Sequence, residues 1–385
     1  MQETAVSPFQ TNTTDCLSEN DFASPVKQFR CKYPKNVIFC HLNVNSVRYK
    51  FAECNHVLHE GSLDLFVLSE TKIDESFTMS QFHIPNYSLY RQDRNEYGGG
   101  VMVFVKSVIP HCVRNDYQNL IVNNVEGMVL ELTISKKKWL ITTLYKPPTV
   151  TDHLFSSMFV TLIEAMLKES KYVMVLGDLN FNMNCDNKLN ELCCLLGLKN
   201  IICGNTCFKG ESGSAIDVFL TSNKYCFSDS LNECIGISDF HNLIGCALKA
   251  FAPEKYHKRL TYRSYKHFND DDFLNGLQML SFDECLKIHC VDEQYVEFNS
   301  VFCNLLNEHA PIKSKTITKP SPPFMNGQLR KAIYKKCMLR NKYYKHRNAL
   351  NWENYKNQRN MVTSIRRQSI RNYFKKQTEN FNADF

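Results

Sequence analysis

Short apolar runs recur along the chain from residue 36 onward, at 37–42, 63–68, 101–105, 127–133, 139–144, 172–176, 215–220 and 243–248. Each has the length of a strand and is edged by Gly, Pro, Asn or Asp, residues that favour turns, so the pattern predicts eight β-strands. Two intervening stretches follow another period. In 152–168, Leu154, Met158, Leu162 and Met166 recur every four residues and so line one helix face, with Asp152 placed to cap it; 189–198 reads the same way. The Ser135-Lys136-Lys137-Lys138 string between two apolar runs predicts an antiparallel pair. Strands dominate and helices interrupt. The expected fold class is therefore α+β, a four-layer α/β sandwich of two packed, mostly antiparallel sheets flanked by helices, with a C-terminal helical extension.

Both ends depart from this pattern. Residues 1–33 are rich in Ser, Thr, Asn and Gln without any sustained period, which predicts a disordered leader. Beyond about residue 250 the strand signals vanish and helical stretches appear at 271–280, 291–308 and 326–374, interrupted by Pro320-Ser321-Pro322-Pro323. The expected organisation is a leader at 1–33, a catalytic body at 34–250, a helical linker at 251–319 and a basic helical tail at 320–385.

Charge sharpens that division. From Lys313 to the end there are 18 Lys and Arg against Glu353, Glu379 and Asp384, a net +15; the chain as a whole carries +7, which leaves −8 on the rest. A basic tail interleaved with Tyr334, Tyr343, Tyr344, Trp352, Tyr355 and Tyr373 suits pairing with phosphates and stacking on bases, with a solvated helical face as the plain alternative. A hydrophobic content of 43% against 22% charged residues excludes global disorder. The 17 cysteines are odd in number and never form a C-x-x-C pair, which reads as an intracellular, reducing location without a zinc site. No apolar run reaches 18 residues, so no membrane partner is expected.

Candidate chemistry sits at strand ends. Gly177-Asp178-Leu179-Asn180 follows an apolar run and aims a carboxylate and an amide to one side. Asn43 and Asn45 end the first strand in the same manner, Glu70 ends the second, Asp217 lies inside an apolar strand, and Ser238-Asp239-Phe240-His241 precedes the last. An Asx turn closing the strand would by itself account for Asp178 and Asn180. Taken together they make a set of hard oxygen donors with one imidazole. Such donors suit Mg²⁺ or Mn²⁺, which polarise a phosphoryl group and leave coordination positions for its oxygens. Gly98-Gly99-Gly100 lacks the Lys-Ser/Thr ending of a phosphate loop and precedes a strand, so it reads as a turn.

The strings LNVNS, SETK, RQDRNEYGGGV, LYKPP, GDLN, TCFKG to AIDV, and SDFH occur in this order over about residues 36–250. In that order they resemble the exonuclease, endonuclease and phosphatase superfamily, which includes DNase I and the apurinic endonucleases, and within it most resemble the endonuclease domain of LINE-type, non-LTR retrotransposons. The resemblance implies a divalent-metal phosphodiesterase that nicks DNA in target-primed retrotransposition. An inactive nucleic-acid-binding remnant and a phosphatase of the same superfamily are the alternatives. It further implies that Glu70 is the principal metal ligand, with Asn43 and Asp239 beside the metal and Asn45, Thr206 and Ser238 in support. Asp178 would position or deprotonate the attacking water, Asn180 would hydrogen-bond the phosphate, Tyr145 would meet the phosphate or leaving group, and Asp217 would orient His241. Arg91, Arg94, Lys72 and Lys146 would contact DNA, and the tail, similar to the linker before the reverse transcriptase of these elements, would meet element RNA. No YxDD string occurs in the chain. A nuclear and cytoplasmic distribution is expected. One departure stands out: the family pattern has Asp directly followed by His, whereas Phe240 separates Asp239 from His241. A local bulge is expected to return His241 to the site.

Overall fold

The computed structural model describes residues 24–209, 212–251, 259–316 and 323–382. The chain divides into two compact units, one of Met1–Glu254 with Ser321–Phe385 and one of Lys255–Pro320. In chain order the first unit begins with α1 (Pro25–Lys32), β1 (Asn36–Asn43), α2 (Phe51–Glu60), β2 (Leu65–Ser69), β3 (Tyr87–Gln92), β4 (Val101–Lys106) and β5 (His111–Val113). It continues with β6 (Glu126–Ile134), β7 (Lys137–Tyr145), α3 (Asp152–Glu169), β8 (Val173–Asp178), α4 (Lys188–Leu195), β9 (Lys199–Asn200), β10 (Asp217–Thr221), β11 (Phe227–Glu233) and β12 (Leu243–Phe251).

Two six-stranded sheets result, ordered β11-β12-β1-β2-β4-β3 and β5-β6-β7-β8-β10-β9. Each contains one parallel pair, β1 with β2 and β7 with β8, among antiparallel neighbours. The unbroken apolar runs follow from this layering, because alternate residues of a central strand enter different cores. In β1, Val37 and Phe39 join a core that also holds Leu65, Val67, Ile141 and Met174 from strands of both sheets. Ile38, Cys40 and Leu42 of β1 join a second core with Val57 and Leu58 of α2. A third core packs Phe155, Phe159, Leu162 and Met166 of α3 against Leu140, Leu144, Val173 and Val175 of the other sheet. The arrangement is helix, sheet, sheet, helix.

Local chemistry sets the connections. Ser135 and Lys136 have φ of 49° and 63°, the left-handed geometry that a two-residue hairpin needs to match strand twist, and they join β6 to β7. Thr151, not the expected Asp152, caps α3: its side chain accepts from the backbone N–H of Leu154. Pro25–Lys32 forms a helix inside the segment expected to lack order, held because Val26 and Phe29 are buried and Arg30 donates to the Asp64 carboxylate at 2.9 Å. Residues 1–23 of the expected leader and 320–322 of the expected breaker lie outside the described residues.

The second unit holds β13 (Arg259–Arg263) paired antiparallel with β14 (Ile312–Thr316), and between them α5 (Asp270–Met279), α6 (Asp283–Leu286) and α7 (Val291–His309). Strand signals were expected to vanish here. The two strands escape a hydrophobicity criterion because RLTYR and IKSKT are mostly polar. The stretch 326–374, expected as one helix, is α8 (Gly327–Lys345) and α9 (Ala349–Asn382), joined by a short turn and packed together around Met325, Leu329, Ala332 and Val362. These two helices belong to the same compact unit as the sheets.

Candidate active site

Register assembles the polar strand ends. Asp178 of β8 lies between Tyr145 of parallel β7 and Asp217 of antiparallel β10, so three candidate side chains form one row across the sheet. In the other sheet Asn43 pairs with Ser69, and Glu70 follows directly. Gly177 permits the row: its φ is +149°, and a Cβ there would stand 1.8 Å from the Leu144 carbonyl oxygen. Asn45, Ser46, Glu70, Lys72 and Asn180 also have positive φ, so non-glycine left-handed backbone gathers around this row.

Asn43 ties the two sheets together. Its Nδ2 donates to Glu70 Oε1 at 2.9 Å and to Asp178 Oδ2 at 2.9 Å, and Tyr145 Oη donates to the same Glu70 oxygen at 3.1 Å. Burial would raise the Glu70 carboxyl, but hydrogen bonds from Asn43 and the charge of Lys72, 3.2 Å away, hold it below the usual range. Asp178 behaves in the opposite way: burial, then the charge of Asp217, pushes it up to about 7. Burial and the Glu70 charge likewise keep the Tyr145 hydroxyl protonated, well above the ordinary phenol. Asn180 donates its side-chain amide to the Lys146 carbonyl at 2.7 Å, and its backbone N–H to Asp178 Oδ1 at 3.1 Å.

His241 lies in this site. Its Nδ1 is 2.9 Å from Asp217 Oδ2, with the carboxylate fully buried. Burial opposes protonation of the ring, but the Asp217 charge and hydrogen bond outweigh it and raise His241 well above an ordinary imidazole. The same pairing overcomes burial at Asp217 and lowers its carboxyl. Thr206 Oγ1 accepts from the backbone N–H groups of Ile216 and Asp217 at 3.1 and 3.0 Å, and Ser238 Oγ accepts from the His241 N–H at 3.2 Å. Sequence reasoning missed His41, whose Nε2 meets Ser69 Oγ at 3.0 Å and whose Nδ1 faces Asp217. A histidine between Cys40 and Leu42 on a buried strand was the available signal.

The extra residue Phe240 is absorbed in a bend over 236–240. Asp239, expected beside the metal, is not among the carboxylates grouped with His241. Its Oδ1 accepts from Tyr355 Oη of α9 at 3.1 Å, while His241 meets Asp217.

The basic residues expected at DNA are engaged within the protein. Arg91 pairs with Asp93 at 3.2 Å, Arg94 with Glu126 at 3.0 Å and Lys146 with Asp152 at 3.1 Å, and Lys72 donates to Asn45. The tail, expected as a phosphate-pairing face, buries Lys336, Arg340 and Tyr355 against the body and leaves others of its basic residues, Lys331, Lys335 and Lys342 among them, exposed. Sequence shows a side chain's charge but not which neighbour within the protein reaches it.

The donor set fits a divalent cation. Among the described residues, ligand atoms of Asp178, Asp217 and His241 lie within 4.8 Å of one another. Asp217 and His241 already satisfy each other, so that group reads better as an acid–imidazole pair beside a metal than as its full ligand shell. Glu70, ionised and next to an Asp178 carboxyl that burial disfavours as an anion, presents the better-matched oxygen. All cysteines among the described residues are free thiols, and no helix there is long and apolar enough to cross a membrane.

The model described as "Endonuclease/Exonuclease/phosphatase family" matches residues 40–239, 200 of the 385 residues. A second, described as "Female sterile protein K10 C-terminal domain", matches 325–383. No curated protein matches. Among solved structures, the 3′-5′ exonuclease NExo of Neisseria meningitidis is 15% identical with a TM-score of 0.46, covering 55% of this chain and 99% of that one. The endonuclease domain of TRAS1, a telomere-specific non-LTR retrotransposon, is 13% identical with a TM-score of 0.45, covering 55% and 98%. The catalytic domain of Xenopus laevis APE2 is 17% identical with a TM-score of 0.43, covering 57% and 94%.

Proposed function

Because the chain belongs to the endonuclease/exonuclease/phosphatase family, we propose that it is a divalent-metal-dependent phosphodiesterase that nicks DNA. The observation that carries this reading is the joining of the Asp217–His241 pair, through Asp178 and Asn43, to the Glu70–Tyr145 pair. An acid–imidazole pair, a carboxyl near neutrality and a metal-grade carboxylate are the parts that hydrolysis of a phosphodiester requires.

Each residue then has a task. Glu70, with Asn43, would hold Mg²⁺ or Mn²⁺. Such an ion, when bound, supplies positive charge to a phosphate oxygen and to the departing oxygen. Asp178, with its carboxyl near neutral pH, takes the proton from the attacking water, whose oxygen bonds to phosphorus as the bond to the leaving oxygen breaks. His241, held cationic by Asp217, donates to a non-bridging phosphate oxygen as negative charge builds there. Tyr145 stays protonated and can donate to the leaving oxygen, and Asn180 adds an amide to the phosphate. The motif order supports a retrotransposon-type endonuclease, and the free thiols fit a reducing, intracellular place of action.

A supercoiled-plasmid assay with added Mg²⁺ tests the proposal. The full chain should convert supercoiled to nicked circles, Glu70→Ala and His241→Ala should not, and removal of the ion by a chelator should stop the reaction. Nicking at equal rates by the chain and both variants would sink it, and hydrolysis of soluble phosphomonoesters with no attack on DNA would replace it with the phosphatase reading.

A further inference from the structure

A residue inserted between the aspartate and the histidine should carry the imbalance into the site, yet His241 keeps its contact with Asp217. Three bonds within the body shape the bend: Ser238 Oγ accepts from His241 N–H at 3.2 Å, Phe240 O accepts from Phe208 N–H at 3.0 Å, and Thr206 O accepts from Asn242 N–H at 2.8 Å. The bend's outer side remains, and there the Asp239 carbonyl has no backbone partner among the described residues and the Phe240 carbonyl has room for a second donor.

Arg340 of α8 occupies that position. Its Nε donates to Asp239 O at 2.8 Å, Nη2 to Phe240 O at 2.7 Å and Nη1 to Asn242 Oδ1 at 2.9 Å. The side chain is fully buried, and its guanidinium lies over the rings of Phe208 and Tyr344 at 5.2 and 5.1 Å. No carboxylate pairs with it among the described residues; its hydrogen bonds go to two backbone carbonyls and the Asn242 amide oxygen. An arginine on a strongly basic helix has no reason to leave water for surface pairing alone, because removing its charge from solvent is expensive unless its donors are met. Its planar fork matches three acceptors that stand along one bend. Lys336, one helical turn earlier, donates to Gly236 O at 2.7 Å, and Tyr355 of α9 donates to the Asp239 carboxylate.

We infer that Arg340 is a positioning residue for His241: by fixing the bend over Asp239, Phe240 and Asn242 it absorbs the inserted residue and aims the imidazole at Asp217. The C-terminal helices are then part of the nuclease site. This inference rests on the phosphodiesterase reading for its kinetic consequence and on geometry alone for its structural one.

The test uses the full chain with Arg340→Ala, Arg340→Lys and, as a control that removes one exposed positive charge from the same helix, Lys335→Ala. Circular dichroism and thermal unfolding establish which variants fold; Arg340→Lys, which keeps the stem between the two rings, carries the test if Arg340→Ala does not. Two readouts follow: kcat and KM of Mg²⁺-dependent nicking, and the low-field Nδ1 proton of His241 in ¹⁵N-histidine-labelled protein, identified by its loss in His241→Gln. The expected result is a kcat lowered about 10²-fold at nearly unchanged KM, as for a misplaced reacting group. The Nδ1 signal should shift or broaden, Lys335→Ala should match the wild type in both, and millimolar guanidinium should restore part of the Arg340→Ala activity. A folded Arg340 variant with wild-type kcat and an unmoved His241 signal overturns the inference. If the wild-type chain cuts no DNA the phosphodiesterase reading falls, and the His241 signal alone decides whether Arg340 positions it.

Discussion

His41 and Asp217 face each other inside the protein, Nδ1 to Oδ1 at 3.7 Å, both fully buried and neither facing atom hydrogen-bonded. Burial pushes the His41 imidazole down to about 4, so it stands beside Asp217 as a neutral ring. It therefore props the carboxylate whose other oxygen holds His241, without neutralising it. Asp217→Asn should lower the nicking rate by about 10²- to 10⁴-fold, the range of a lost acid–base partner. His41→Leu should lower it far less. Equal losses in kcat, measured on one plasmid substrate, would show that the two rings matter alike and refute this division.

Glu70→Gln keeps the shape of the side chain and its acceptor oxygen for Asn43 and Tyr145 but removes the negative charge. The Mg²⁺ concentration giving half-maximal nicking should rise at least about 10-fold, the scale on which metal sites respond to loss of a supporting group. A titration of rate against free Mg²⁺ checks this, and an unmoved midpoint would place the cation elsewhere.

Asp64 carries a burden of another kind. Its carboxylate, fully buried, accepts from Arg30 Nη2 at 2.9 Å, Lys106 Nζ at 2.8 Å and the Ile38 N–H at 2.9 Å, tying α1 and the ends of β1 and β4 together. Asp64→Ala leaves two largely buried cations without a counter-charge. The loss should be about 3–5 kcal/mol, read from urea-unfolding midpoints. Arg30→Met, which removes one cation and keeps the stem, should cost less.

Acid stability should draw on Glu169. Hydrogen bonds from Arg114, Lys138 and Tyr117 hold its carboxyl below the usual range. A depressed folded-state value means that the stabilisation is present above the unfolded value of about 4.3 and is lost as pH falls further. The wild type should therefore melt above Glu169→Gln at pH 7, with the gap closing progressively below about pH 4. Because the cluster is partly exposed, high salt should narrow the gap at neutral pH. A gap that widens on acidification would contradict the assignment.

What the sequence disclosed was what short spacing controls. The two-sheet fold was legible because central strands buried on both faces read as continuous apolar runs. The strand ends announced Asn43, Glu70, Asp178 and Asp217 because polar side chains closing such runs are costly to bury unless each finds a partner. β3 and β11 were not legible, since YSLYRQ and FSDSLNE mix polar and apolar positions at partly buried edges of the sheet. α2 was passed over because its buried face rests on Cys54, Val57 and Leu58 among polar residues. The fates of Asp239, Arg94 and Arg340 depended on partners reached only after folding, and no local pattern marks such a partner. A basic helix looks the same whether its inner arginine meets phosphate or carbonyl.

Asp239 and Arg340 are 101 residues apart in the chain yet joined at 2.8 Å. A ribosome adding about 5–20 residues each second takes on the order of 5–20 s to travel between them. Both sheets are therefore synthesised, and free to begin pairing, well before the arginine that sets the histidine leaves the tunnel. On the role proposed for Arg340, the nascent polypeptide would during that interval hold its Asp217–His241 pair without the contact that aims the imidazole. Synthesis itself would then act as a timer, and a chain released early by a stop codon or a damaged message would lack the proposed positioning of its histidine.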